Sequence, residues 1–157
     1  GSVIENIALG EFQPDTKRII QLINLLGMTD FIKELPGGLE TYLGENGQNL
    51  SGGQRQKLAI LRAIYPNPEI IIFDEATSAL DYKSEESILK TLLLLKREGK
   101  TIIYISHRLK SISISDKTIF LSKGKIVCEG KHEELIQNCN EYREMHEKNS
   151  YLYDLTF

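Results

Sequence analysis

The apolar positions of roughly the first 65 residues recur at the spacing of an amphipathic helix. Between Asp15 and Gly27, the apolar set comprises Ile19, Ile20, Leu22, Ile23 and Leu26. Asp15 is a favourable N-cap and Gly27 a favourable stop, so a helix is predicted between them. A short helix is also predicted over 29–35, and a longer one begins after Ser51 and ends before Pro66.

The pattern changes after this helical part of the chain. Residues 70–73 form a continuous apolar run, which predicts a strand covered on both faces. A helix is predicted from about 83 to 97, and a second buried, isoleucine-rich strand over 101–106. Alternation of strand, helix and strand favours a parallel sheet, so the fold class is α/β.

The C-terminal part combines a hairpin with a helical tail. Strands over 118–122 and 125–129 flank the turn sequence Lys123-Gly124. A polar helical tail follows from Lys131, and His132 is interpreted as a helix-start residue and not as a ligand. The predicted organisation is a helical subdomain over 1–65, a partial catalytic α/β core over 66–137 and a C-terminal helical tail over 138–157.

Composition and charge narrow the class of protein. Hydrophobic residues make up 41% and charged residues 26% of the 157 residues, as in ordinary soluble domains. A net charge of -3 gives no basic field for nucleic acid, so no nucleic-acid partner is expected. Cys128 and Cys139 are too few for a disulfide framework, which favours a reducing, cytosolic setting. No apolar run reaches the roughly 18 residues of a membrane span.

The most specific motif is the pentapeptide Leu50-Ser51-Gly52-Gly53-Gln54. Its two glycines permit close approach of the backbone to a ligand, and Ser51 adds a hydroxyl group. Its amides stand at the predicted start of a helix, where the helix dipole favours an anion. These properties predict a phosphate-binding segment, and a glycine-rich helix cap is the purely structural alternative.

Two adjacent carboxylates, Asp74 and Glu75, follow the first predicted strand. In open α/β sheets, ligands bind at the carboxyl ends of the strands. Asp74 is suited to hold Mg²⁺ through water molecules, and Glu75 to polarise an attacking water. His107 follows the second strand in the same way. Solvated acids at a strand end and a structural histidine are the alternatives.

Taken together, these motifs resemble those of ABC transporter ATPase domains, in the same order along the chain. The four motifs are LSGGQ at 50–54, the apolar strand with its two acids at 70–75, SALD at 78–81 and SHR at 106–108. They are similar to the signature motif, the Walker B strand with its catalytic glutamate, the D-loop and the switch histidine. The resemblance extends from Val3 to about Leu135.

The resemblance implies a helical subdomain plus the later strands and helices of a P-loop, RecA-like ATPase core. It implies ATP and Mg²⁺ as ligands, bound where two ATPase domains meet head to tail. The implied nucleotide-binding residues are Leu50, Ser51, Gly52, Gly53, Gln54 and Asp81. The implied metal residue is Asp74, and the implied catalytic residues are Glu75 and His107.

Two further segments resemble the exporter type of this family. The sequence TYLGENG at 41–47 is similar to a TxVGExG segment that lies against the coupling helices of the membrane domain. The sequence SVIENI at 2–7 is similar to a segment that follows the Q-loop. The implied partners are a second ABC ATPase domain, identical or different, and a transmembrane domain outside this sequence. The expected location is the cytoplasmic face of a membrane.

The phosphate-binding loop of this family has no counterpart in the sequence. A P-loop requires G-x-x-x-x-G-K-[ST], but Gly99-Lys100-Thr101 has Leu94 five positions before the glycine and precedes a strand. The adenine-stacking aromatic residue and the Q-loop glutamine have no match either. We therefore expect the intact protein to be an ATPase coupled to transport, and this chain alone to be inactive.

Two alternatives to the exporter ATPase remain open. The first is a soluble ABC ATPase of DNA repair or translation, and the exporter-like segment at 44–47 argues against it. The second is a non-catalytic dimerisation or regulatory module. Intact Glu75 and His107 argue against that module, since it has no chemical need for both.

Overall fold

The computed structural model describes residues 1–44, 47–75, 81–106 and 112–154, in two compact units, Gly1–Ile105 and Ser106–Phe157. The first unit contains α1 (Val3–Ile7), α2 (Thr16–Leu25), α3 (Thr29–Glu34), a 3-10 turn (Gly38–Glu40), α4 (Gly52–Ile64), β1 (Ile70–Asp74), α5 (Tyr82–Arg97) and β2 (Thr101–Ile105). The second contains β3 (Thr118–Ser122), β4 (Lys125–Gly130), α6 (His132–Asn138) and α7 (Asn140–Asp154). Among the described helices, none combines the length and apolarity needed to cross a membrane.

Polar side chains fix where the first helices begin. Ser2 and Glu5 form a capping box at α1, in which Glu5 N–H donates to Ser2 Oγ at 3.3 Å and Ser2 N–H donates to Glu5 Oε2 at 2.7 Å. Asp15 Oδ1 accepts from the N–H of Arg18 at 3.0 Å, which confirms Asp15 as the N-cap of α2. Gly27, with φ of 62°, follows the end of this helix as expected.

A polar cluster around Tyr65 ties the segment before α2 to the end of α4. The Tyr65 hydroxyl accepts from the N–H of Asp15 at 2.9 Å and donates to Glu11, and this bond to Glu11 is the main cause that raises the pKa of Tyr65. Arg18 Nε donates to the Tyr65 carbonyl at 2.8 Å. A guanidinium is favourable at this position because it meets the negative end of the α4 dipole.

One hydrophobic core joins the helices of the first unit to its strands. Its fully buried side chains include Ile19 and Leu26 near α2, Leu61 and Ile64 in α4, and Ile88 in α5. Ile71 and Phe73 of β1 belong to the same cluster. Burial of apolar surface therefore fixes the position of the helix α4 relative to the strand β1. The predicted boundary at residue 65 stays a prediction.

The strands β1 and β2 pair in parallel, in a register that runs from Ile70 opposite Thr101 to Asp74 opposite Ile105. The predicted burial of β1 on both faces is wrong for this chain. Ile71 and Phe73 are buried, whereas Ile70 and Ile72 are 60% and 63% exposed. The same alternation holds in β2, where one face packs on the core and the other leaves isoleucines exposed.

The second unit confirms the predicted hairpin. β3 and β4 are antiparallel, and Lys123 and Gly124 join them with φ of 49° and 74°. Two consecutive positive φ angles match the twist of the hairpin. The predicted tail consists of two helices separated by Cys139, and α6 begins at His132. Tyr142 is fully buried, and its hydroxyl lies 2.7 Å from His132 Nδ1.

A disulfide bond joins Cys128 of β4 to Cys139 in the second unit, with a Cα–Cα distance of 6.5 Å. Cysteine content alone did not predict this pairing. The two residues are 11 positions apart in sequence, and only the packing of α6 against the hairpin brings them together.

The exposed sheet face generates a prediction about association. Replacing Ile72 and Ile103 with threonine removes exposed apolar surface but keeps β-branched side chains that favour strands. We expect this chain to self-associate in sedimentation velocity experiments and the double variant to be monomeric. Ile71→Thr, at a position only 3% exposed, should instead lower the free energy of unfolding by about 2 kcal/mol. A monomeric parent chain would contradict the prediction.

Candidate active site

The signature segment forms the N-terminus of α4, with Ser51 as its predicted N-cap. Gln54 N–H donates to Ser51 Oγ at 3.2 Å, and Ser51 N–H donates to Gln54 Oε1 at 2.8 Å, which completes a capping box. Leu50 is buried at 6% exposure and anchors the motif in the core. Ser51 and Gly52 are exposed, so the positive end of the helix dipole is accessible to an anion.

Two contacts shape the loop that leads into α4. Leu50 N–H donates to the Gly47 carbonyl at 2.9 Å, and Gly47 has a φ of 64° that only glycine adopts without strain. Arg55 donates to the Leu50 carbonyl from the first turns of α4. These bonds hold the chain in a tight turn directly before the signature segment. Glu45 and Asn46 of the exporter-like segment lie outside the described residues.

The carboxyl ends of β1 and β2 lie side by side at one edge of the sheet. Asp74 pairs with Ile105, and the N–H of Glu75 donates to the Ile105 carbonyl at 3.0 Å, which extends the ladder by one bond. Asp74 and Glu75 are both exposed at this edge. Ser106 is the next residue in sequence after β2, and His107 lies outside the described residues. The placement of the two acids at a strand end agrees with the sequence prediction.

The residues present suit Mg²⁺ only as a partly hydrated ion. Within the part of the chain that the structure describes, no group of three or more His, Cys, Asp and Glu side chains is arranged to hold a metal. Mg²⁺ typically keeps several water molecules and binds through one or two carboxylates plus substrate phosphates. The exposed carboxylate of Asp74 fits that mode of binding.

Asp81 caps the helix α5. The N–H of Ser84 donates to Asp81 Oδ1 at 2.9 Å, and the Ser84 hydroxyl donates to Oδ2 at 3.0 Å. These two bonds, and to a smaller extent the ammonium group of Lys57, lower the pKa of Asp81. Burial lowers the pKa of Lys57, and Asp81 opposes that shift. The remaining D-loop residues, at 78–80, lie outside the described residues.

Sequence reasoning gave no role to Gln56, which links two parts of the candidate site. Its Nε2 donates to the carbonyl oxygen of Glu75 at 3.0 Å, so the middle of α4 touches the backbone of the predicted catalytic acid. The only sequence signal was its position two residues beyond the signature motif. Helical spacing places a side chain on a face but does not say which distant backbone atom that face meets.

The triplet Gly99-Lys100-Thr101, which matches only the end of a P-loop motif, has the structure expected from its position. Gly99 has a φ of 82° after the end of α5, and Thr101 is the first residue of β2. Lys100 Nζ donates to the carbonyl of Asn67 at 3.2 Å. A phosphate-binding loop follows a strand and opens a helix, so this triplet is not one.

The capping role of Asp81 generates a prediction about stability and pH. Asp81→Ala should lower the free energy of unfolding by about 1 kcal/mol at neutral pH, whereas Asp81→Asn should retain most of the cap. Because the folded-state pKa of Asp81 is lowered, its contribution is present above its ordinary pKa and is lost as pH falls through the lowered value. Urea unfolding at several pH values measures this difference. A cost of Asp81→Ala that grows on acidification would contradict the assignment.

Three comparisons with known proteins identify the relatives of this chain. The model of the family described as ABC transporter matches residues 2–78. The leukotoxin translocation ATP-binding protein LktB of Mannheimia glucosida is 50% identical over 139 residues, which cover 88% of this chain and 20% of that protein. LktB of Bibersteinia trehalosi matches with the same identity and coverage.

The fold comparison agrees with the sequence comparison. A solved bacterial Atm1-family ABC exporter with ATP bound matches this chain with a TM-score of 0.88 and 36% sequence identity. The match covers 95% of this chain and 26% of that one. The chain spans about a fifth of the length of the curated relatives that it matches. With 50% identity to translocation ATP-binding proteins, a match to the ABC transporter family over residues 2–78 and the fold of a solved ABC exporter, the chain is similar over most of its length to the ATP-binding part of ABC transporters.

Proposed function

We propose that this chain is part of an exporter ATPase that binds and hydrolyses ATP where two such domains meet head to tail. The observation that carries the proposal is one core that holds both the exposed N-terminus of α4 and the exposed acids at the end of β1. The similarity to a translocation ATP-binding protein and to an exporter with ATP bound supports export as the process and ATP as the ligand. The proposed location is the cytoplasmic face of a membrane.

The signature segment is proposed to bind the nucleotide held by the second ATPase domain. The hydroxyl of Ser51 and the amides of Gly52 and Gly53 lie at the positive end of α4, where negative phosphate oxygens are stabilised. Leu50 keeps this segment in place because its side chain is buried in the core. Gln54 supports the same segment through the capping box.

The end of β1 is proposed to carry the hydrolytic chemistry. The carboxylate of Glu75 accepts a hydrogen bond from the attacking water and orients it, and Asp74 holds Mg²⁺ through coordinated water. When bound, Mg²⁺ neutralises the charge that develops on the phosphate oxygens. His107 is proposed to contact the γ-phosphate, and Asp81 to contribute from the D-loop at the same interface.

Replacing Glu75 with glutamine tests the catalytic assignment in the full-length protein. The amide keeps the shape of the side chain but is a much weaker base, so we expect steady-state ATP hydrolysis to fall by at least about a hundredfold. Nucleotide binding, measured by isothermal titration calorimetry with Mg²⁺, should persist. Glu69→Gln is a matched control because Glu69 is an exposed acid at the other end of β1.

Two outcomes would contradict the proposed ATPase. Normal hydrolysis by the Glu75→Gln variant would exclude a catalytic role for Glu75 and favour a dimerisation or regulatory module. Tight ATP binding by the 157-residue chain alone would contradict the assignment of the ATP affinity to a P-loop, since this sequence contains no such motif.

A cavity next to the signature helix is the proposed docking surface for a transmembrane domain. Its volume is about 640 Å³, and its lining includes Tyr42, Gly44, Gly47, Arg55 and Arg62. The Tyr42 side chain is 64% exposed at its rim. Among the lining residues, Arg62 Nε donates to the Asn6 carbonyl at 2.8 Å, which joins α4 to α1. A rigid concave surface with an exposed aromatic side chain suits an inserted helix of a partner domain.

Replacing Tyr42 with alanine should weaken association with the membrane domain. An exposed aromatic side chain that a partner buries commonly contributes enough for an affinity loss of about tenfold when it is truncated. The binding of a separately prepared ATPase domain to the membrane domain in nanodiscs measures this loss. Phe12→Ala is the control, because Phe12 is an aromatic residue 96% exposed elsewhere in the first unit. Equal losses for both variants would contradict the location of the docking surface.

A further inference from the structure

The backbone of Glu75 adopts a conformation that needs outside support. Its φ is 46°, in the left-handed region that side chains other than glycine, asparagine and aspartate rarely adopt. Two hydrogen bonds to described residues hold the backbone of Glu75. Its N–H donates to the Ile105 carbonyl at 3.0 Å, and its carbonyl accepts from Gln56 Nε2 at 3.0 Å. The direction in which the Glu75 side chain leaves the backbone therefore depends on both contacts.

The amide oxygen of Gln56 indicates that packing alone does not explain this residue. Its Oε1 atom is buried and has no hydrogen-bond partner in the described part of the chain. A buried acceptor without a partner destabilises the folded state. An apolar side chain of similar length would avoid that cost and still fill the space. Within the described residues, the amide is therefore explained by the hydrogen bond that its Nε2 donates to Glu75.

Gln56 lies on the same helix as the signature segment. It is five positions beyond Ser51, or about 7.5 Å along the axis of α4. The capping box makes the first turn of this helix regular, and Arg18 holds its far end through the Tyr65 carbonyl. A shift of the N-terminus of α4 is transmitted along a rigid helix to the carbonyl of Glu75.

We propose that Gln56 is a positioning residue that couples the signature end of α4 to the backbone of Glu75. This inference rests on the proposed function, in which Ser51 binds the nucleotide of the second domain and Glu75 activates water at this domain's own nucleotide. The hydrogen bond from Gln56 to Glu75 then links the two ATP sites of a dimer. Contact of the signature segment with one nucleotide aligns the catalytic acid that acts on the other.

The first test is Gln56→Met in the full-length transporter. Methionine keeps the length of the side chain and removes both the donor and the buried acceptor. We expect kcat for ATP hydrolysis to fall about tenfold, because misplaced catalytic groups lose rate without losing substrate binding. The KM for ATP should not change, and Tm should stay equal or rise. Gln21→Met, at an exposed position of α2, is the matched control and should change neither.

The second test asks whether Gln56 and Ser51 act along one path. Ser51→Ala and Gln56→Met should together lower kcat by less than the product of their separate effects, at saturating ATP. A fully multiplicative effect would overturn the coupling. An unchanged kcat in Gln56→Met, or a loss of kcat explained by a fall in Tm, would overturn the positioning role.

These outcomes separate the inference from the proposed function. If the parent protein hydrolyses ATP and Glu75→Gln abolishes hydrolysis, the proposed function stands whatever Gln56→Met does. If Glu75→Gln retains normal hydrolysis, the proposed function fails, and with it the basis for positioning Glu75.

Discussion

The hydrophobic core shared by α4, β1 and α5 is the constraint on which the rest of the first unit depends. Leu61, Ile71 and Ile88 are each buried at or below 3% exposure, one in each element. Burial of such side chains is worth about 2 kcal/mol apiece before the cost of ordering them. Because the core is close-packed, it fixes the helix that carries the signature segment relative to the strand that carries the acids.

Polar contacts stabilise the ends of the helices that the core packs together. Capping boxes begin α1 and α4, and the Tyr65 cluster fastens the C-terminal end of α4. Each contact satisfies backbone groups that a helix end leaves without an intrahelical partner. Glu75, with a φ of 46°, is one of the described residues other than glycine that has a positive φ, and it is the proposed catalytic acid. A backbone strained in this way persists only where surrounding contacts over-determine the conformation.

The exposed surfaces of the first unit are as informative as its core. The N-terminus of α4 and the end of β1 present exposed polar groups, whereas Ile70 and Ile72 present an apolar sheet face. Parallel strands in proteins of this class are usually covered on both faces. The relatives that this chain matches are more than four times as long as this chain.

The sequence by itself determined the order of elements, the N-caps Asp15 and Ser51 and the family resemblance, because these depend on local spacing and on short motifs. Helix and strand boundaries agree with the sequence prediction to within a few residues for the same reason. Tertiary structure alone decided the contact of Gln56 with Glu75, the disulfide between Cys128 and Cys139, and which face of β1 is covered. Each of these features depends on contacts between segments that are separated in sequence. Local preferences carry no information about which separated segments meet.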